Sequence, residues 1–174
     1  MEIINDNLKV IDITILSQME AFKLPEQLRT TGYGYWLRAA DDSQPVMEID
    51  KYGNLKEYKL TDFHSSGIRP LVTFMNPGYV IEKGDVITNN GLIYDVIDVG
   101  SNSNNPIALC RSNIKDVLYR DIDNDTFADM YMSYDKKSKD IYDSSEIKAY
   151  LKYVFPEEYG LNIYEDEPRY DREA

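Results

Sequence analysis

The chain has 174 residues, 43% of them hydrophobic and 29% charged, a composition and length that allow one domain with a real core. Its formal net charge of −12 argues against direct nucleic-acid binding, which needs clustered Lys and Arg for phosphate contacts; surplus carboxylates more often serve only solubility, and they also suit a protein that docks on a basic partner. The opening residues lack a basic start followed by an apolar run, and no segment approaches the roughly 18 apolar residues of a membrane span, so the expectation is a cytoplasmic protein with no membrane partner.

In chain order, Leu8 to Leu16 is apolar and β-branched and predicts a buried strand. Ser17 and Glu20 form an S-x-x-E capping box that opens a short helix, and Pro25 starts a further turn. Beyond Gly32 and Gly34, the segments YWLRAA, PVMEID and LKEYKL predict a meander with its turn at Gly53 and Asn54. GIRPLVTF predicts the next strand, at an edge or irregular position because Pro70 has no N–H.

Asn76-Pro77-Gly78 marks a connector. A hairpin follows with Asn90-Gly91 as a type I′ turn, and NPIALCRS supplies a third antiparallel strand, with Cys110, the single cysteine, in its apolar interior. One cysteine excludes a disulfide framework within the chain and a multi-cysteine metal site. From Ile114 to Tyr142 the pattern weakens into long loops. A helix is predicted from Asp143 as N-cap, with Glu146 at N3, Tyr142 stapling Ile147, and an apolar stripe of Ile147, Tyr150, Leu151 and Val154 ending before Pro156. Residues 1–160 are read as one domain and 161–174 as an acidic tail.

The stretch from Tyr33 to Phe74 resembles the end of an uncharacterised C-type-lectin-like domain of Gram-positive bacteria, their phages and mobile elements. Trp36, Leu37, Arg38, Gly67, Arg69 and Pro70 match its Trp-Leu-Arg-Ser and Gly-Val-Arg-Pro segments, with Ala39 in place of the usual Ser. GLIYDVIDVG, NPIALCRS and YDSSEIKAYLKYVF are similar to the pieces with which that family opens, yet they follow the ending, so the order looks circularly permuted. The resemblance implies an α+β fold with a small twisted antiparallel sheet, one or two helices and long loops, in which the first and last strands of the parent pair side by side and 75–85 joins them. It also implies a phage or mobile-element origin. The alternative keeps the order linear: a lectin-like fragment of the first 75 residues, then an SH3-like barrel similar to phage head-to-tail connectors.

Arg38 and Arg69 offer either a paired-guanidinium anion site or, as the stronger reading, pins that bond loop carbonyls and acids. Trp36 and Gly67 are read with them as structural anchors. His64 stands beside Ser65 and Ser66 without an evident acid, which argues against a hydrolytic triad. Asp121, Asp123 and Asp125 alternate as in a calcium loop, but Thr126 replaces the required Gly and Met132 the bidentate Glu, so no EF-hand is present. A looser calcium site there, and a ligand role for Asp41 and Asp42, stay open.

No enzyme motif occurs, and no cofactor or metal is expected. Tyr131, Tyr134, Asp135, Asp140 and Tyr142 interleave aromatic rings with acids and, with the three aspartates, form the candidate protein-binding strip, although packing within a loop-rich domain explains the tyrosines equally well. The functional expectation is a non-enzymatic protein-binding module, either a virion or assembly component or an acidic inhibitor of a host defence protein. Lectin-like carbohydrate or small-ligand binding is the alternative.

Overall fold

The computed structural model describes residues 1–38, 46–59, 62, 64–100, 104–119 and 145–155. The chain opens with β1 (Glu2–Ile4), β2 (Val10–Thr14), α1 (Gln18–Lys23) and α2 (Glu26–Arg29). Next come β3 (Tyr35–Trp36), β4 (Val46–Ile49), β5 (Leu55–Tyr58), β6 (Ser65–Ile68) and β7 (Leu71–Phe74). β8 (Val86–Asn89), β9 (Leu92–Val99), β10 (Pro106–Cys110), β11 (Lys115–Leu118) and α3 (Glu146–Val154) complete the set. The class is mixed, mostly strand with a few helices, as the α+β expectation had it.

Local signals account for many boundaries. Glu20 N–H donates to Ser17 Oγ at 3.1 Å and Ser17 N–H to Glu20 Oε1 at 2.8 Å, so the capping box opens α1. Asn90 and Gly91 have φ of 49° and 82°, the left-handed pair that a type I′ turn requires between β8 and β9. The α3 cap differs from expectation: Ser145, not Asp143, takes the N-cap, accepting from Lys148 N–H at 3.2 Å. A start at Ser145 leaves Ile147 and Leu151 fully buried.

Two sheets replace the one small antiparallel sheet expected. A six-stranded sheet runs β1-β8-β9-β10-β7-β2 and a five-stranded sheet runs β11-β6-β3-β4-β5, with the β1/β8 and β3/β6 pairs parallel. GIRPLVTF is not one strand: it breaks at Arg69-Pro70, so that β6 belongs to one sheet and β7 to the other. The stretch after Ile114 is not all loop, because Lys115 to Leu118 pair with β6 from Ile68 back to Ser65.

The side-by-side strand pairing that the resemblance implies, β7 against β8, is not seen either. β7 pairs with β10 and β2, while β9 and β10 lie between β7 and β8. Since β7 sits between β2 and β10, and β1 pairs with β8, strands from both sides of residue 75 share one sheet.

β1 and β2 lie at opposite edges of the six-stranded sheet, yet only residues 5–9 join them. Fully extended, that link reaches about 20 Å, whereas a flat six-stranded sheet is about 24 Å wide. A turn at Asn5, whose carbonyl accepts from Leu8 N–H, shortens the link further. The sheet therefore curls toward a barrel. One face contributes Val72, Phe74, Tyr94, Val96 and Ala108 to the main core, which Trp36, Val46 and Ile68 of the second sheet and Ile147 and Leu151 of α3 complete. Alternate residues of the same strands, Tyr35, Leu37, Ile49, Leu71 and Leu109, build a second core with Leu16 and Ala21.

Candidate functional site

The period-2 alternation of β4 turns Val46 and Glu48 to one face, which places a carboxylate in the wall of the main core. The Glu48 side chain is 5% exposed, and a carboxylate so far from water needs several donors. It has them from β5, β6 and the loop before β6. Ser66 Oγ donates to Oε2, His64 Nε2 lies 2.9 Å from the same oxygen, and the Tyr58 hydroxyl donates to Oε1 at 3.3 Å. Burial, then the charge of Glu48 and the hydrogen bond to it, push the Tyr58 phenol above its ordinary value.

Aromatic rings brace these donors. The His64 and Tyr58 rings stack at 4.0 Å and 8°, and the edge of Trp36 meets Tyr58, His64 and Tyr119 at centroid distances of 5.8, 5.8 and 5.4 Å. Trp36 Nε1 donates to Val117 O at 2.8 Å, which ties β3 to β11 across the intervening β6. Gly34 is required here: a Cβ would stand 2.5 Å from Glu48 Oε2. Its carbonyl accepts from Gly67 N–H at 3.0 Å and Asn113 Nδ2 at 2.9 Å. A Cβ at Gly67 would strike the Asn113 side chain, so Gly67 is an anchor through what it lacks.

The arrangement has a definite chemical sense. In a hydrolytic triad the imidazole stands between acid and hydroxyl, taking the hydroxyl proton while the acid orients it. Here the carboxylate stands in the middle, with Ser66 and His64 both bonded to Oε2. His64 does have an oriented acid, contrary to the sequence reading, but the order of the three groups holds Ser66 to the acid.

Arg38 and Arg69 do not form a joint anion site; each has its own partners. Arg38 Nη1 donates to Thr14 Oγ1 and Ile15 O, both at 3.0 Å, and Nη2 lies 3.4 Å from Glu20 Oε1, tying β3 to β2 and α1. Arg69 is buried, donates from Nε to Cys110 O at 2.7 Å and lies 5.0 Å over the Tyr35 ring. Its Nη1 has no hydrogen-bond partner among the described residues, and burial pushes the guanidinium below its ordinary value. Cys110 is fully buried, and burial pushes its thiol up, so it does not offer a thiolate nucleophile.

The strip of Tyr131, Tyr134, Asp135, Asp140 and Tyr142, the aspartates Asp121, Asp123 and Asp125, and the loop acids Asp41 and Asp42 lie outside the described residues. Among the described residues no group of three or more His, Cys, Asp or Glu is placed to hold a metal ion, and no helix is long and apolar enough to cross a membrane. Sequence reasoning missed Glu48. Its one available signal was a charged residue at the inward register of a strand, two positions after Val46.

Comparison of the chain with protein-family models, with curated proteins and with solved structures gives no match.

Proposed function

We propose that this chain is a non-enzymatic protein-binding module of phage or mobile-element origin, built as a permuted relative of the C-type-lectin-like domain. The observation that carries the non-enzymatic reading is the order Ser66, Glu48, His64, in which the groups with most chemical potential are tied to one buried carboxylate and serve the architecture. Arg38, Arg69, Trp36 and Gly67 are likewise engaged with backbone and core. The lectin-like part of the reading is supported by the placing of Tyr35-Trp36 and Ser65–Ile68 on adjacent parallel strands, with Tyr35 opposite Gly67, whereas the permuted order rests on the sequence resemblance alone.

Binding then falls to surfaces away from this framework. The second half of the sequence carries 18 acids against 10 bases, and the proposed contact strip comprises Tyr131, Tyr134, Asp135, Asp140 and Tyr142 with Asp121, Asp123 and Asp125. Rigid phenols supply contact area, and carboxylates steer toward a basic face. A host defence protein that handles nucleic acid presents such a face.

The test is affinity capture of the tagged chain from phage-infected cells with low-salt and high-salt washes. A nucleic-acid-binding host protein retained at low salt and lost as salt rises is the expected result. Virion proteins retained through high salt would keep the binding reading and replace the inhibitor role with an assembly role. Turnover of a substrate that depends on His64 would overturn the non-enzymatic reading.

A further inference from the structure

We draw no further inference here: the strongest candidate, the exposed apolar strip that Ile4 and Ile93 form with Thr88 between them across one face of β1, β8 and β9, carries nothing, because nothing in the structure shows what covers it.

Discussion

Glu48 and Arg69 are both charged, both buried and both on the five-stranded sheet or at its end, yet the fold treats them in opposite ways. Glu48 has hydrogen-bonding groups from three side chains on its two oxygens. Arg69 has one carbonyl, one aromatic face and an Nη1 without a partner among the described residues. A buried charge with full hydrogen bonding becomes a joint that other elements depend on, whereas one held mainly by packing contributes shape more than electrostatics.

That contrast can be broken by substitution. Glu48→Ala leaves Ser66 and His64 facing a void and should cost about 3–5 kcal/mol in urea unfolding. Gly34→Ala drives a methyl against the same carboxylate and should cost about 1–3 kcal/mol. Tyr58→Phe removes one donor and keeps the ring stack, for about 1 kcal/mol. Arg69→Met, similar in length and uncharged, should stay within about 1 kcal/mol of the parent by the same urea assay. A loss at Arg69 as large as that at Glu48 would erase the distinction.

Alkaline pH sharpens the account by a smaller effect. Burial pushes the phenols of Tyr35, Tyr58 and Tyr94 up. A raised folded value means that the folded state holds the proton more tightly, so the stability these groups contribute is complete below the ordinary phenol value of about 10 and is lost as pH rises through the folded values. Thermal unfolding between neutral pH and pH 11 should show this decline, and Tyr58→Phe should lessen it. At the acid end the sign reverses for Asp85. Its hydrogen bond from the N-terminal ammonium, 2.7 Å away, holds it below the usual carboxylate range, so its contribution is present above about pH 4 and fades below.

Much of the fold was legible where the signal is local. Ser17 with Glu20, the Asp50–Asn54 turn and the Asn90-Gly91 hairpin each carry their chemistry within a few residues, and each stands where expected. What escaped depends on distant pairing. β1 is three residues long and exists through its parallel partner β8, some 80 residues away, and β11 exists through β6. The break at Arg69-Pro70 follows from Pro70's missing N–H, but its consequence, a change of sheet, needs Cys110 N–H on the Pro70 carbonyl to be seen. At the site, the pinning role of Arg38 and Arg69 could be read from sequence. The acid for His64, 16 positions back along the chain, could not.

The central claim, that the Glu48 cluster is architecture and recognition lies elsewhere, is tested most directly by measuring partner capture at low salt by two variants, each confirmed to be folded at the assay temperature. One is His64→Asn; the other combines Tyr131→Ser, Tyr134→Ser, Asp135→Asn and Asp140→Asn. The account predicts full capture by the first and loss of about tenfold or more by the second, since interface aromatics and charges dominate such energies. Loss of capture in folded His64→Asn, with the strip variant unaffected, would contradict it.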